Sequence, residues 1–262
     1  MKLTNPPVIQ SWIAIEFDPA PDKKTWDIQI ANAFFLRHQN TLPHHDIAWV
    51  RHVEIKDFSP AKLPEIIPGK IEVNHVRGRN EQGTFWVQVS ADDRLVCNIT
   101  RGSGSYAGYE YLRDQAILMY IDYVELFKPT KVRRVDLHYV DLIEIPVPPD
   151  KKIKLEDYFE FYIKSPGKFD NMLACDISVA LSTPRVRDAV EVRFQTEPMN
   201  ENSNTYRFRM DWNLTCNQVE TLDRDEIVRW LDEAHDCVRD YFRSSFTDRM
   251  WEMFGPSESR LD

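Results

Sequence analysis

The stretch KVRRVDLHYVDLIEIPVPPDKKIKLEDYFEFY occupies residues 131–162, at the middle of a chain of 262 residues. Apolar side chains alternate along its first part, which predicts a strand over residues 132–145 with one buried face. Pro146, Pro148 and Pro149 follow and end the strand, because proline has no backbone donor for a sheet. The LEDYFEF segment after them predicts a short helix over residues 155–161.

The segments before and after this stretch repeat one order of elements. The first half has an alternating strand over residues 8–17, a short helix that Thr25 caps, and a long amphipathic helix over residues 109–127 that ends before Pro129. Between the two helices, alternation predicts three antiparallel strands at residues 70–76, 84–90 and 94–101. The second half has its three strands at residues 174–181, 189–196 and 205–216, and a closing helix over residues 223–253.

These elements predict an α+β fold with a pseudo-twofold duplication. Each half runs strand, short helix, three-stranded antiparallel meander, and long helix packed on the sheet. Residues 1–130 form the first repeat, residues 131–256 the second, and residues 257–262 a C-terminal tail. We expect the first strands of the two halves to pair and make one continuous sheet.

In two segments of the first half, the apolar residues show neither a clear helical nor a clear strand period. Residues 41–46 contain Pro43, His44 and His45 and are predicted as a loop. Trp49, Val53 and Ile55 after them indicate an extended segment. Three prolines fall within residues 59–69, which predicts irregular backbone there, because each proline removes a donor and restricts the residue before it.

Composition and charge narrow the class of protein. The N-terminal sequence MKLTNPPVIQSW has neither the basic segment nor the apolar run of a signal peptide, and no apolar window approaches the roughly 20 residues of a membrane span. The sequence therefore predicts a cytoplasmic protein with no membrane partner. The four cysteines have no paired or ligand-like spacing, which favours free thiols and no metal or cofactor.

Arginine makes the strongest polar pattern. Arg193, Arg207 and Arg209 are on the outer parity of two adjacent predicted strands, and Arg185 and Arg187 are in the turn before them. These arginines are candidates for binding an acidic partner or an anion. The alternative is a solvated face that nearby carboxylates neutralise, namely those of Asp176, Glu191 and Asp211. A net charge of −9 favours a protein partner over nucleic acid, whose binding needs a positive field.

A glycine-rich loop is the candidate site for a small anion. Gly102, Ser103, Gly104 and Ser105 connect a predicted strand to the start of a helix, where free backbone amides attract anions. The loop lacks the lysine of a P-loop and the spacing of a dinucleotide fingerprint, so a plain turn is the alternative.

Several acidic and histidine residues are also candidates for chemistry. Asp141 is on the apolar parity of the midpoint strand, so either it bonds to neighbouring backbone or arginine groups, or a bulge turns it toward water. A loop carries three histidines and one aspartate, and its alternatives are a metal site and a solvated loop. Those four residues are His44, His45, Asp46 and His52. His235 and Asp232 are three apart on the last helix, where a functional dyad and a chance pair are both open.

The segment Arg134 to Ile145, with Leu155-Glu156-Asp157-Tyr158-Phe159 after it, resembles the signature of a sporadically distributed bacterial family of similar length. Members of that family carry R-x-x-L-R-Y-I-N-x-I before an L-x-D-Y helix. His138 here takes the place of the usual arginine and Asp141 that of the usual asparagine. The resemblance implies no particular activity, but the patchy occurrence of the family implies accessory genes in defence or regulatory operons.

Three functional hypotheses follow. No common catalytic signature occurs, which favours a non-enzymatic binding or regulatory subunit. It would engage a protein partner, encoded in the same operon, through its sheet surface or an edge strand. The second hypothesis is a saddle-like protein whose concave sheet face meets a nucleic-acid duplex. The third is a sensor or enzyme for an anionic small molecule at the glycine-rich loop.

Overall fold

The structure is a computed structural model. It describes residues 3, 6–19, 27–56, 65–103, 106–148, 153–161, 175–182, 190–197, 204–217 and 219–255. At positions 51–56 and 65–70 the description covers the backbone alone.

The described residues form nine strands and four α-helices. The strands are β1 (Val8–Asp18), β2 (His44–Lys56), β3 (Glu65–Arg79), β4 (Phe85–Ser90), β5 (Arg94–Thr100), β6 (Lys131–Pro146), β7 (Asp176–Leu181), β8 (Val190–Thr196) and β9 (Thr205–Cys216). The helices are α1 (Ile28–Arg37), α2 (Tyr109–Phe127), α3 (Arg224–Ser244) and α4 (Asp248–Phe254), and a 3-10 turn covers Leu155–Asp157. The predicted mixture of helices with an antiparallel sheet is confirmed.

All nine strands belong to one antiparallel sheet with the order β2-β3-β4-β5-β1-β6-β9-β8-β7. Strands β1 and β6 lie side by side at its centre, where Ile13 is opposite Leu137. The expected pairing of the first strands of the two halves is therefore confirmed. Because β1 and β6 are far apart in sequence, this central pair joins the two parts of the chain into one sheet.

The helices pack on one side of the sheet, which we call the helical face. Phe17 of β1 stacks on Tyr123 of α2 with ring centroids 4.4 Å apart. Ile13 is on the same parity as Phe17 and is paired with Cys97 of β5 and Leu137 of β6. All five side chains are buried, and each large apolar one contributes about 1.5–3 kcal/mol. Directly opposed residues share a face, so the even-numbered side chains of β1 point to the opposite side, which we call the open face.

The predicted closing helix over residues 223–253 is wrong as a single element. Helix α3 ends at Ser244, and Thr247 begins α4 by accepting a hydrogen bond from the backbone N–H of Met250. Between them, Phe246 makes an isolated β-bridge with Phe159 and its side chain is buried. The chain leaves the helix because this bridge needs extended backbone, and the Thr247 cap restarts it.

Three other boundaries of the first half differ from the prediction. Asp27 caps α1 by accepting from the N–H of Gln29, whereas the predicted cap, Thr25, is outside the described residues. Strand β2 begins at His44, inside the predicted loop, and β3 includes Pro68, inside the predicted irregular segment. The ladder between β2 and β3 shifts register between Arg51 and Val53, beside Pro68, and such irregularities accommodate a residue without a donor.

Two further predictions change with these boundaries. The first part of the chain contributes four strands after β1 rather than three, since β2 is a full strand. The short helix predicted over residues 155–161 is wrong, because the structure has only the 3-10 turn Leu155–Asp157. After this turn, Phe159 forms a β-bridge with Phe246. The extended backbone of that bridge is incompatible with further helix.

Candidate functional site

The three described arginines of the predicted binding set lie on the open face, and each contacts a carboxylate. Arg193 Nη2 is 2.6 Å from Asp176 Oδ2, Arg207 Nε is 2.9 Å from Glu144 Oε1, and Arg209 Nη2 is 2.8 Å from Asp211 Oδ1; these arginine side chains are 40–50% exposed. Asp176 and Asp211 neutralise arginines as the solvated-face alternative expects. Glu191 instead accepts a hydrogen bond from Ser178. Arg185 and Arg187 are outside the described residues.

His138 lies next to this arginine group at the centre of the open face. Its ring stacks on Trp12 with centroids 3.7 Å apart and planes 11° from parallel. Its Nε2 atom is 3.6 Å from Asp211 Oδ1, which is an ion-pair distance and too long for a hydrogen bond. Burial acts to raise the pKa of Asp211, but His138 and Arg209 outweigh it and hold that pKa below its usual range.

Asp141 lies on the helical face and is 1% exposed. The indole Nε1 of Trp212 donates to its Oδ2 atom at 2.8 Å, while Oδ1 has no partner among the described residues. Burial raises the pKa of Asp141 to about 7. The prediction that a bulge turns Asp141 to water is wrong, and so is the prediction of an arginine or backbone partner. The register shift is in the opposite strand, between Val8 and Gln10.

His138 and Asp141 therefore do not form one site. They are three residues apart on β6, so their side chains point to opposite faces of the sheet. His138 is paired with Trp12 on the open face, and Asp141 contacts Trp212 on the helical face. The two departures from the family signature have separate surroundings.

The glycine-rich loop is described in part. Gly102 and Ser103 are exposed, and Gly104 and Ser105 are outside the described residues. Just after them, the hydroxyl of Tyr106 shares a hydrogen bond with Ser11 Oγ. Burial raises the pKa of Tyr106, and the charge of Asp141 acts in the same direction. Tyr106, the first described residue after this loop, is thus within the electrostatic influence of Asp141, which sequence reasoning did not connect.

His235 and Asp232 do not contact each other as a dyad. His235 Nδ1 is 2.8 Å from the hydroxyl of Tyr139, and its ring stacks on Tyr109 at 4.0 Å. Asp232 accepts hydrogen bonds from Tyr109 at 2.7 Å and from Arg113 at 2.9 Å. Burial lowers the pKa of His235. These contacts join α2 to α3 and β6, so they have a structural role.

The predicted histidine loop is part of an edge hairpin, which we call the arm and define as β2 with β3. Strand β2 is the last strand on its side of the described sheet. It pairs with β3 from Glu65 to Arg79, whereas β4 pairs with β3 only from His75 to Arg79. The first part of β3 therefore extends beyond β4, and that part of the arm projects past its neighbour.

The arm carries exposed apolar side chains. Trp49 is 60% exposed, Ile71 57%, Ile47 41% and Val50 37%. Sequence reasoning predicted an extended segment here from Trp49, Val53 and Ile55. It missed the pairing with β3, and hence the exposed surface, because the turn-like residues at the start of β2 and Pro68 of β3 argue against a hairpin.

Two of the predicted metal ligands in the arm, His44 and Asp46, have other partners, and the side chain of His52 is outside the described part of the structure. His44 Nε2 is 3.0 Å from Glu81, and Asp46 accepts from Arg77 at 2.6 Å. In the described part of the chain, no three His, Cys, Asp or Glu side chains converge as metal ligands. None of the described helices has the length and apolarity needed to cross a membrane.

The chain matches no protein-family model and no curated protein sequence.

Proposed function

We propose that this protein is a non-enzymatic binding subunit that engages another protein through the arm. The observation that carries the proposal is the exposure of Trp49 and Ile71, at 60% and 57%, on a hairpin at the edge of the sheet. Large apolar side chains grouped on one exposed element are typical of interaction sites. Tryptophan in particular is enriched among the residues that dominate binding energy.

The edge strand adds a second mode of attachment. Strand β2 has a neighbour on one side only within the described sheet, so its other side can present backbone donors and acceptors to a strand of the partner. Such strand addition obtains affinity from backbone hydrogen bonds and specificity from side chains on alternate positions. Ile47 and Trp49 are on one parity of β2, and the partner's apolar side chains would pack there.

Charge favours a protein over nucleic acid as the partner. Arg193, Arg207 and Arg209 are each paired with a carboxylate, and the whole chain has a net charge of −9. Binding to a duplex draws on unpaired cations that displace counterions. We still predict that these three arginines make secondary contacts with the partner. A saddle-like nucleic-acid protein would instead bind duplex DNA or RNA with an affinity that falls steeply with salt.

The proposal includes the origin and setting of the chain. We infer that its two parts arose by duplication, with β1 corresponding to β6 and α2 to α3, which the central pairing of β1 with β6 supports. The resemblance of the midpoint segment supports membership of the sporadically distributed bacterial family. On that basis the partner is a protein of the same defence or regulatory operon, in the cytoplasm.

The experiment is affinity purification of the tagged protein from its native cells, followed by mass spectrometry. The test variants are Trp49→Glu and Ile71→Glu. The matched control is Leu118→Glu, which changes an apolar residue of α2 that is 54% exposed. We expect one stoichiometric protein with the wild type and the control, and its loss from both arm variants. Absence of a stoichiometric protein, or its retention by the arm variants, would contradict the proposal.

A further inference from the structure

Asn98 of β5 is a buried amide with no partner. Its side chain is 0% exposed, and neither Oδ1 nor Nδ2 has a hydrogen-bond partner among the described residues. An amide that is buried without partners lowers stability, and it is uncommon in folded proteins. The burial of this amide is therefore not explained by a contribution to folding stability.

Two tryptophans flank Asn98 on the open face. Asn98 is directly opposite Trp12 of β1 and directly opposite Trp86 of β4, and opposed residues share a face. Strands β4 and β1 are two strand spacings apart, which is about 10 Å. Both indoles are half-buried, so each has a surface that solvent reaches. The buried amide thus lies between two aromatic residues in one row of the open face.

Each indole is supported on the side away from Asn98. The His138 ring stacks on Trp12 with centroids 3.7 Å apart. The guanidinium of Arg77 lies 5.9 Å from the Trp86 ring centroid, and Arg77 is itself held by Asp46 at 2.6 Å. Each indole thus has a partner of its own, whereas the amide between them has none among the described residues.

We propose that Trp86, Asn98 and Trp12 form a binding site for a nucleobase, free or as a nucleoside. A carboxamide presents one donor and one acceptor in a plane, and it can pair with a planar heterocycle that carries an adjacent acceptor and donor, as asparagine does with adenine. Aromatic side chains stack on the faces of such rings and are widely used to hold single bases. This inference goes beyond the proposed function and concerns a different part of the sheet.

Charge indicates a nucleoside rather than a polynucleotide. Arg77 is paired with Asp46, and Arg209 is paired with Asp211 beside His138. Neither cation is available for a phosphate without loss of its carboxylate partner. Because Asn98 is fully buried, entry of a base requires the side chains around it to part, and the bound base then supplies the missing hydrogen bonds.

The test titrates adenosine, guanosine, cytidine and uridine separately into the full-length protein, with tryptophan fluorescence and calorimetry as readouts. We expect saturable binding of at least one nucleoside at one site per chain. Asn98→Leu removes the amide with little change in volume and is expected to weaken that binding about tenfold or more, the loss of one bidentate contact. Trp12→Leu and Trp86→Leu are expected to weaken it as well.

The control is Asn213→Leu. Asn213 is opposite His138 in the same row of the sheet but lines a separate depression of about 530 Å³. It is expected to leave binding unchanged. Thermal unfolding of Asn98→Leu verifies that this variant is folded, and its midpoint should be at or above that of the wild type.

Three results would overturn the inference. The first is no binding of any nucleoside at millimolar concentration. The second is a loss on Asn213→Leu that Asn98→Leu does not share, which would place the base in the depression. The third is binding of a single-stranded oligonucleotide but of no free nucleoside, which would make a strand the ligand.

Discussion

Asn98 and Asp141 lie on opposite faces of one sheet, and both are fully buried polar side chains with an unpaired oxygen among the described residues. They differ in charge and in partner. Asn98 is neutral at every pH and has no hydrogen bond from its side chain. Asp141 ionises and accepts one bond, from the Trp212 indole. The unpaired amide of Asn98 on the open face therefore lowers stability by an amount that does not vary with pH. The destabilisation that Asp141 causes on the helical face does vary with pH.

The largest expected effect is the pH dependence that Asp141 imposes on stability. Burial raises its pKa in the folded state to about 7, well above the ordinary aspartate value of 3.8. The folded state therefore binds the proton more tightly, so the contribution of Asp141 to stability is greatest below about pH 4 and is lost as pH rises toward 7. A difference of this size corresponds to about 4 kcal/mol.

Urea denaturation of the wild type and of Asp141→Asn at several pH values from 4 to 8 measures this effect. The asparagine variant lacks the titrating group, so the difference in unfolding free energy between the two proteins should change across that range. All other titrating groups are common to both proteins and cancel. Two parallel curves would mean that Asp141 has an ordinary pKa.

The second effect comes from the only donor to Asp141 among the described residues. Trp212→Phe removes the indole N–H and leaves a buried carboxyl with no hydrogen-bond donor in the described part of the chain. Hydrogen bonds to charged groups contribute about 1.5–3 kcal/mol and neutral ones about 1 kcal/mol. The variant should therefore lose more stability at pH 8, where Asp141 is ionised, than at pH 5. If the variant lost stability only because phenylalanine packs less well than tryptophan, the loss would be equal at both pH values.

The smallest effect concerns the open face. Asn98→Leu replaces an unpaired buried amide by an apolar side chain of similar volume, and such replacements are neutral or stabilising. We expect a gain of about 1 kcal/mol in unfolding free energy that is the same at pH 5 and pH 8. A clear loss of stability would show that the amide has a partner in the folded protein, and would remove the contrast between the two faces.

Much of the fold could be predicted because its signals are local. Alternation in residues 132–145 was sufficient for β6, and the three- and four-residue spacing before Pro129 was sufficient for α2. The pairing that forms the arm was missed because β2 is stabilised by β3, and Pro68 within β3 argues against a strand when that segment is read alone. The break between α3 and α4 was missed because Phe246 bridges to Phe159, 87 positions earlier in the chain.

The two buried polar residues likewise differ in how much the sequence indicates about them. Asp141 was conspicuous in the sequence as a carboxylate on an apolar parity, and the structure confirms that it is buried. Its donor, Trp212, is 71 positions away in the chain, so spacing could not identify it. Asn98 gave no signal, since an asparagine on the outer parity of a strand is ordinary.

The sequence by itself determined which segments are strands and helices over most of the chain, and which side of each strand is apolar. Only the tertiary structure decided which strands are neighbours. It thereby decided that Asn98 lies opposite two tryptophans and that a third tryptophan donates a hydrogen bond to Asp141. The physical reason is that periodicity depends on residues two to four positions apart. Burial of a strand residue depends on side chains of adjacent strands, which the chain brings together only when it folds.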